Sequence, residues 1–326
     1  MDQGRTTASR TCQPYHRLWP GRIPWISLLL VGGVLTWLVP AAVTAAGSRT
    51  LVVILGTGSP VPDPDRSGPS LAIVVGGNSY LVDCGVGCVR RAVAAFQKKG
   101  IEALRDSNLK VCFITHLHSD HTLGYPDLML TPWDRRSGAL RVYGPPGTSA
   151  MTENILRAYA ADIQVRTKGL QGSSVDTVTP EVHEIASGVI FKDGSVTVTA
   201  FPVTHGTFPN SFGFKFVSPD RTVVISGDTA ASDAIVEQAR GADVLIHEVY
   251  SMEKYARVPP QTRQYLRAFH TSTEELAVIA NKARPKLLVP IHKLGHAGLS
   301  AGAIKRELRK AGYTGRVADS HDLDIY

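Results

Sequence analysis

Short apolar runs rich in β-branched residues, separated by glycine and polar turns, recur along the chain from about residue 50. Such runs are typical of buried strands, whereas longer stretches with helical spacing of apolar residues predict helices. The first predicted strands are 50–55, 70–75 and 79–82, and the predicted helices are 89–99, 148–161 and 231–239. Strands cluster before helices in each half, which predicts an α/β fold with two packed sheets and helices outside. The polar, turn-rich stretch 165–187 predicts a mobile flap.

One predicted strand, residues 110–115, ends in the segment Thr-His-Leu-His-Ser-Asp-His at residues 115–121. Residues two apart in an extended chain point to the same side, so the imidazoles of His116 and His118 can converge on one ion. A turn directly afterwards would aim Asp120 and His121 at a second ion. Four side chains of metal-binding types within six residues, directly after a buried strand, predict half of a two-metal site.

Three further predicted strands end close to a histidine or an aspartate. The run 196–203 leads to His205, the run 222–226 leads through Gly227 to Asp228, and the run 286–292 ends in His292. Glycine at position 227 permits a tight turn that presents the carboxylate. Each residue alone is explained by helix capping or by a local hydrogen bond. Together with the first segment, they complete the set of ligands that two ions need.

These residues resemble the metallo-β-lactamase fold hydrolases, which carry an HxHxDH motif, a later histidine, a bridging aspartate and a final histidine. Four other segments resemble the tRNase Z and metal-dependent arylsulfatase branch: Leu55-Gly-Thr-Gly-Ser-Pro60, Ser226-Gly-Asp-Thr229, His247-Glu-Val-Tyr250 and His270-Thr-Ser-Thr273. The resemblance covers about residues 50–326 and implies an αββα sandwich of two mixed sheets packed face to face. It implies one zinc site of His116, His118 and His205, a second of Asp120, His121 and His292, and Asp228 as the bridge.

The types of ligand indicate the chemistry. Imidazole and carboxylate without thiolate suit zinc, and manganese or iron fit the same cage. Two divalent ions about 3.5–4 Å apart can share a hydroxide that attacks an ester. Both sulfate esters and phosphate esters develop negative charge that such ions stabilise, so the expected function is ester hydrolysis by a metal-bridging hydroxide.

His270 is the candidate proton donor for the leaving group. It precedes Ser272-Thr-Glu-Glu275, a capping-box pattern that begins a helix predicted at 274–282. The resemblance implies that a histidine at this position contacts the substrate and protonates the departing oxygen. A histidine that only satisfies the loop backbone is the alternative. Glu248 follows a strand predicted at 242–246, and we expect it to orient His270 or a metal ligand.

The N-terminal segment predicts export. Four arginines precede an uncharged apolar run at 25–39, and small residues follow around Val43 and Ala45. This pattern is typical of a signal peptide over residues 1–45, which leaves a hydrolase domain at 46–326 in the periplasm or outside the cell. The alternative is an uncleaved anchor at 23–46, and contact with a membrane is expected only in that case.

Charge and cysteine content add two expectations. The formal net charge is +7, but the basic pairs are scattered and no basic stripe alternates with aromatic residues, so we expect no nucleic-acid surface. Beyond residue 45 the cysteines are Cys84, Cys88 and Cys112, and this odd number excludes a disulfide scaffold. A local bridge between Cys84 and Cys88 stays open, as does a homo-oligomer.

The predicted substrate depends on the export signal and on one departure from the family pattern. A tRNA-processing enzyme of this branch is expected to carry a Gly/Pro-rich arm between the positions of His205 and Asp228, but only 22 residues separate them. An exported protein also meets no precursor tRNA. We therefore expect an arylsulfatase-like dizinc hydrolase of small anionic esters. Its aromatic wall for the leaving group is predicted from Trp133, Phe208 and Phe212.

Three other functions stay open at this point. A phosphodiesterase or ribonuclease Z-like endonuclease would use the same cage of ligands. So would a lactonase or thioester hydrolase, because the motif does not distinguish carbonyl, phosphoryl and sulfuryl centres. A metal-binding module without catalysis is the third, although the complete ligand set and His270 argue against it.

Overall fold

The apolar runs of the sequence form two β-sheets in the computed structural model, which describes residues 49–294 and 302–326. The strands are β1 (Leu51–Gly56), β2 (Ser70–Val75), β3 (Asn78–Val82), β4 (Val111–Phe113), β5 (Arg141–Gly144), β6 (Glu181–Glu184), β7 (Gly188–Lys192), β8 (Thr197–Pro202), β9 (Phe212–Val217), β10 (Thr222–Ile225), β11 (Val244–Tyr250) and β12 (Leu288–Leu294). The helices are α1 (Cys88–Lys99), α2 (Ser119–Thr122), α3 (Tyr125–Leu130), α4 (Thr148–Ala158), α5 (Ala160–Lys168), α6 (Asp233–Gln238), α7 (Met252–Tyr255), α8 (Pro260–Phe269), α9 (Thr273–Ala283) and α10 (Ala303–Lys310).

Each sheet combines antiparallel and parallel strands. The first has the order β1-β2-β3-β4-β5-β6, with antiparallel pairing from β1 to β3 and parallel pairing from β3 to β6. The second has the order β12-β11-β10-β9-β8-β7, with antiparallel pairing from β7 to β10 and parallel pairing from β10 to β12. Neighbouring parallel strands end at the same edge of their sheet, so the segments that follow them lie close together.

Three apolar clusters show how the layers pack. One contains residues of both sheets, such as Ile54, Phe113 and Phe214, and fills the space between them. A second, which includes Leu128 of α3, joins the outer face of the first sheet to helices. The third, which includes Leu276 of α9, does the same for the second sheet. The predicted αββα sandwich of two mixed sheets is confirmed.

Strand β1 shows why the apolar runs in the sequence are continuous rather than alternating. Val52 and Ile54 belong to the cluster between the sheets, whereas Val53 and Leu55 belong to the cluster under the helices. Both faces of the strand are therefore buried, as is usual when helices cover a sheet whose other face packs on a second sheet.

The stretch 165–187, expected to be a mobile flap, contains regular secondary structure towards both of its ends. Helix α5 continues to Lys168, and β6 pairs in parallel with β5 at the edge of the first sheet. Three of the four residues of β6 are exposed, so their polar character hides the strand from a search for apolar runs. The pairing with β5 joins segments that are far apart in sequence, so the residue pattern of this stretch alone does not predict it.

The described residues contain no helix that is both long and apolar enough to cross a membrane. The segments predicted as a signal peptide or an anchor, residues 1–45 and 23–46, lie outside the described residues, so both stay predictions. The described residues belong to one compact unit.

Candidate metal centre

Segments that follow strands of both sheets bring one cluster of imidazoles and carboxylates together. After β4 the chain carries His116 and His118, and the short helix α2 carries Asp120 and His121. From the second sheet, His205 follows β8, Asp228 follows β10, and His292 lies on β12. The seven side chains that the sequence indicates as ligands therefore lie side by side in the structure.

Three imidazoles form the first group of this cluster. Nε2 of His116 lies 3.0 Å from Nδ1 of His118, and Nε2 of His205 lies 3.1 Å from the same Nδ1. His116 and His205 are buried, whereas His118 is partly exposed. Each residue turns one ring nitrogen towards a common point, which is the arrangement that a divalent ion with nitrogen ligands requires.

Two carboxylates and two imidazoles form the second group. Nε2 of His292 lies 3.0 Å from Oδ2 of Asp120 and 3.3 Å from Oδ2 of Asp228. Nε2 of His121 lies 3.6 Å and 3.4 Å from the same two oxygens. This buried nitrogen has no hydrogen-bond partner among the described residues. A buried ring nitrogen that faces two carboxylates without a hydrogen bond fits coordination of a divalent ion.

Asp228 lies between the two groups because Gly227 turns the chain sharply after β10. Its carboxylate forms a close set with His116 and His121 as well as contacting His292. Gly227 has a φ of +61°, and a Cβ there would lie 2.7 Å from the carbonyl oxygen of Phe212. The turn that the sequence predicts at this glycine is confirmed, and no residue with a side chain fits there without strain.

Asp83, which follows β3, supports the cluster although the sequence did not indicate it. Its Oδ2 lies 2.9 Å from Nδ1 of His121, and its Oδ1 accepts a hydrogen bond of 2.8 Å from the backbone N–H of Thr115. The hydroxyl of Thr115 also donates to this carboxylate and lies 3.0 Å from Nδ1 of His116. Asp83 therefore fixes the ring of His121 and the strand end that delivers His116. Its signal in the sequence is the same strand-end position that marks the other acidic residues.

Burial and charge set the protonation of the cluster. Burial holds the pKa of His116 well below its usual range and lowers the pKa of His205 to about 4. These imidazoles are therefore neutral, which is the form that binds a metal. Burial alone would raise the pKa of Asp120 and Asp228, but their histidine neighbours, His292 foremost, outweigh it and lower both. The two carboxylates are thus ionised.

His270 ends helix α8 next to the second group. Its Nδ1 lies 3.4 Å from Oε1 of Glu248 and 3.9 Å from Oδ2 of Asp228, and its Nε2 lies 3.3 Å from the hydroxyl of Tyr265. Burial would lower the pKa of His270, but the carboxylate of Glu248 outweighs it and raises this pKa. Glu248 is held by the backbone N–H of Thr271, which donates to Oε1 at 2.9 Å. The structure thus places Glu248 where it can orient His270.

The loop after His270 is fixed by a capping box. The backbone N–H of Glu275 donates to Oγ of Ser272 at 3.1 Å, and the backbone N–H of Ser272 donates to the carboxylate of Glu275 at 2.9 Å. Helix α9 begins at Thr273, directly after this cap. The capping box that the sequence predicts at this position is confirmed, and it limits the movement of the loop that carries His270.

The three aromatic residues expected to line a substrate pocket lie in different places. The ring centroid of Phe208 lies 4.2 Å from that of His118, so Phe208 contacts the cluster. Trp133 is 1 % exposed and packs in the core on the outer face of the first sheet, and Phe212 packs between the sheets. The expectation is therefore corrected for Trp133 and Phe212, because core packing covers their rings.

Two other aromatic residues near the cluster were not indicated by the sequence. Phe269 lies edge-on to His205, with ring centroids 5.1 Å apart, and Tyr265 stacks on Phe269 at 4.6 Å. The backbone carbonyl of Phe269 lies 2.7 Å from Nδ1 of His205 and accepts its hydrogen bond. Their signal is positional, since both lie in the last turns of the helix that His270 ends.

The cysteines make no contribution to the metal groups. Cys84, Cys88 and Cys112 are buried free thiols, and the groups of described residues that could hold an ion contain none of them. Sγ of Cys84 lies 3.0 Å from Sγ of Cys112 rather than bonding to Cys88. The ligand set is thus imidazole and carboxylate, as the sequence predicts, and it suits a divalent metal.

Known proteins of similar sequence and fold agree with this site. Residues 78–293 match the family model described as beta-lactamase superfamily domain. The chain is 35 % identical to ribonuclease Z of Mycobacterium bovis over 279 residues, which cover 83 % of this chain and 96 % of that protein. It is 36 % identical to ribonuclease Z of Mycobacterium sp. strain KMS over 250 residues, 74 % of this chain and 84 % of that one.

Two solved structures share the fold. The metallo-β-lactamase fold protein YhfI from Bacillus subtilis matches with a TM-score of 0.64 at 17 % identity, covering 85 % of this chain and 99 % of its own. The short form of human tRNase Z matches with a TM-score of 0.61 at 24 % identity, covering 85 % of this chain and 98 % of its own. At these identities the matches support the architecture.

The similar sequences correct the expected function and partner. An arylsulfatase-like hydrolase of small anionic esters is wrong as the main prediction, because relatives matched over most of their length are named ribonuclease Z. The same finding overturns the expectation of a small-molecule substrate and no nucleic-acid surface. The physical reason is that the cage of ligands does not distinguish sulfate from phosphate esters. The prediction therefore depended on the N-terminal segment and on the missing arm.

Fold, cluster and sequence similarity lead to one assignment. The two six-stranded mixed sheets with helices outside are the architecture of the metallo-β-lactamase fold. The family model covers residues 78–293, which include all seven residues of the cluster. The predicted metal-dependent hydrolysis of ester bonds is confirmed, and the chain belongs to the metallo-β-lactamase superfamily, in its ribonuclease Z branch.

Proposed function

We propose that this chain is a ribonuclease Z-like endonuclease that hydrolyses phosphodiester bonds in RNA with two zinc ions. The observation that carries the proposal is the 35 % identity to ribonuclease Z of Mycobacterium bovis, which extends over 96 % of that protein. The match therefore extends over nearly the whole of the relative's sequence, including its catalytic domain. The cluster of imidazoles and carboxylates supplies the metal groups that such a reaction needs.

Two neighbouring groups of side chains would hold the ions. His116, His118 and His205 would hold one ion, Asp120, His121 and His292 the other, and Asp228 would contact both. The mixture of imidazole and carboxylate supports zinc as the metal. Bound divalent ions would supply Lewis acidity for the attack of water on a phosphodiester and for stabilising charge on its oxygens.

His270 would give the leaving oxygen its proton. Cleavage of a phosphodiester breaks one P–O bond, and the departing oxygen takes up a proton. Nδ1 of His270 faces the carboxylate of Glu248 at 3.4 Å, so this carboxylate would favour the protonated imidazole. Nε2 lies beside the hydroxyl of Tyr265, a residue that is 42 % exposed. Nε2 thus faces the accessible side of the cluster and is the atom that would transfer the proton.

A short hairpin occupies the segment between His205 and Asp228. Strand β9 ends at Val217, β10 begins at Thr222, and the two pair antiparallel. This described segment contains no long arm of the kind that the family resemblance implies at that position. Recognition of RNA would therefore depend on surfaces of the domain that lie closer to the cluster.

The test is a comparison of substrates with the full-length chain. Zinc-loaded protein is incubated with a precursor tRNA that carries a 3′ extension, with bis(p-nitrophenyl) phosphate and with p-nitrophenyl sulfate. We expect endonucleolytic cleavage of the RNA and hydrolysis of the diester, both lost on chelation and restored by zinc. The variant Asp120→Asn serves as the control for contaminating ribonuclease, because it should retain the fold and lose cleavage.

Two results would contradict the proposal. Hydrolysis of the diester without cleavage of any RNA would indicate a phosphodiesterase with a different substrate. Equal RNA cleavage by the wild-type chain and Asp120→Asn would show that the cluster does not perform the reaction.

A further inference from the structure

Three aromatic rings, those of His205, Phe269 and Tyr265, lie in succession from the metal cluster towards solvent. The ring of Phe269 lies edge-on to His205 at 5.1 Å, with an interplanar angle of 82°. Tyr265 stacks on Phe269, with centroids 4.6 Å apart and an interplanar angle of 26°. Tyr265 is 42 % exposed, although it is a large aromatic residue one ring away from a buried histidine. The outermost ring of this series, that of Tyr265, is therefore partly accessible from solvent.

The ring of Phe269 is fixed by its close approach to the backbone at Gly206. Gly206 follows His205 with a φ of +53°, and a Cβ at this position would lie 2.2 Å from the ring of Phe269. The N–H of Gly206 donates to the carbonyl oxygen of Ala268 at 2.9 Å. Only glycine lets the ring of Phe269 lie this close, so the ring has a single place. Tyr265 is held in turn by its stack on a fixed ring.

Tyr265 lies beside His270, the proposed proton donor. The hydroxyl of Tyr265 is 3.3 Å from Nε2 of His270, the atom assigned to the leaving oxygen. A phosphodiester placed for proton transfer from Nε2 therefore has the ring of Tyr265 within reach of its adjoining nucleoside. Helix α8, which carries Tyr265, contains Arg263 and Arg267 and no acidic residue, so its charge favours a polyanion.

We propose that Tyr265, stacked on Phe269, is the subsite for an unpaired nucleobase adjoining the scissile phosphodiester. This inference rests on the proposed function and assigns to it a residue that contacts the nucleotide next to the scissile bond. An aromatic face next to an RNA backbone stacks on an unpaired base, whereas a base inside a duplex keeps both faces covered by its neighbours. Tyr265 is thus a substrate-binding residue, and Phe269 positions it.

The test compares two substrates and three proteins. The substrates are an RNA cleaved at one known bond and the same RNA with an abasic nucleotide next to that bond, placed on either side in turn. The proteins are the full-length zinc-loaded wild type, Tyr265→Leu and Tyr265→Phe. Tyr265→Phe keeps the stack and removes the hydroxyl next to His270. Tyr159→Leu is the matched control, because Tyr159 is 46 % exposed and ends α4, which packs on edge strand β6 of the first sheet.

The expected result is a loss that depends on the base. Stacking of one base on an aromatic side chain is worth about fivefold to a hundredfold in binding, so Tyr265→Leu should lower kcat/KM on the normal RNA by this order. The loss should appear mainly in KM. On one of the two abasic substrates Tyr265→Leu and wild type should be equal. Tyr265→Phe should keep the wild-type ratio of kcat/KM between normal and abasic RNA, whatever the loss of its hydroxyl does to the rate itself, and Tyr159→Leu should match wild type on every substrate.

The outcomes separate this inference from the proposed function. If Tyr265→Leu loses the same factor on normal and both abasic RNAs, Tyr265 acts through His270 or the fold, and the subsite is refuted. Wild-type activity in Tyr265→Leu refutes it as well. In both cases cleavage of RNA by the wild type would leave the proposed function intact. Failure of the wild type to cleave RNA, with the diester still hydrolysed, would overturn both.

Discussion

Replacement of Asp83 by asparagine should weaken metal binding although Asp83 does not belong to the metal groups. The carboxylate holds Nδ1 of His121 at 2.9 Å and accepts two hydrogen bonds from Thr115, one from its backbone N–H and one from its hydroxyl. Asp83 has a φ of +60°, a conformation that asparagine tolerates as well as aspartate does. Asp83→Asn therefore keeps the backbone and the size of the side chain and removes the negative charge.

The size of the effect follows from the contacts that change. The amide oxygen of asparagine can still accept the backbone N–H of Thr115, so the main loss is the charge-assisted bond to His121. Such a bond is worth about 1.5–3 kcal/mol, which is about tenfold to a hundredfold in an equilibrium constant. The same range, about 10–100-fold, is usual for outer partners of metal-binding histidines. We expect zinc affinity to fall by this factor, with the protein still folded.

The assay is competition for zinc between the protein and a chromophoric chelator, with thermal unfolding of both proteins measured in parallel. Asp322→Asn is the matched control. Asp322 is also a buried carboxylate that accepts two backbone N–H groups, those of Thr57 and Ser67, and it pairs with Arg91. Its loss should cost stability and leave zinc affinity unchanged. Zinc binding in Asp83→Asn as tight as in the wild type, or an equal loss in Asp322→Asn, would refute the reasoning.

Four further outcomes are expected. Chelation should abolish activity and lower the melting temperature, since an ion bound only by the folded state stabilises it, and added zinc should restore both. His270→Ala should lower kcat on RNA by about 10²–10⁴, with a much smaller loss on bis(p-nitrophenyl) phosphate, whose leaving group needs no proton. Gly206→Ala should reduce the free energy of unfolding in urea by about 1–3 kcal/mol, because its Cβ would displace the ring of Phe269. Cys84 and Cys112 should resist alkylation in the folded protein and react after denaturation, as peptide mass spectrometry would detect.

The residues of the metal groups were predictable because their signal is local. Each follows or ends an apolar run, and the spacing of His116 and His118 fixes their common side within one strand. Asp83 follows a predicted strand in the same way, but its role arises from the pairing of β3 with β4, which brings Asp83 next to Thr115. Helix α1 separates these two strands in sequence, so the residue pattern of neither segment predicts that they pair.

The aromatic residues near the cluster could not be predicted in this way. Trp133 and Phe212 are large apolar residues near the motifs in sequence, yet both are buried in core clusters. Tyr265 and Phe269 lie on a helix that the sequence pattern did not indicate, and only the packing of its end against Gly206 brings them to the cluster. Proximity in sequence therefore identifies the ligands that follow one strand, but it does not identify the aromatic side chains that lie near the cluster in the fold.

Reaction and substrate selection come from different parts of this structure. The metal groups combine strand ends of both sheets with fixed hydrogen bonds, so the cage constrains the reaction and tolerates any ester that reaches it. Selection then has to come from the surface around the cage. The hairpin between β9 and β10 supplies no arm, whereas helix α8 brings the partly exposed ring of Tyr265 to His270, the proposed proton donor. If both proposals hold, selectivity should depend on the nucleotides that adjoin the bond, because the hydroxyl of Tyr265 lies 3.3 Å from Nε2 of His270, the proposed proton donor.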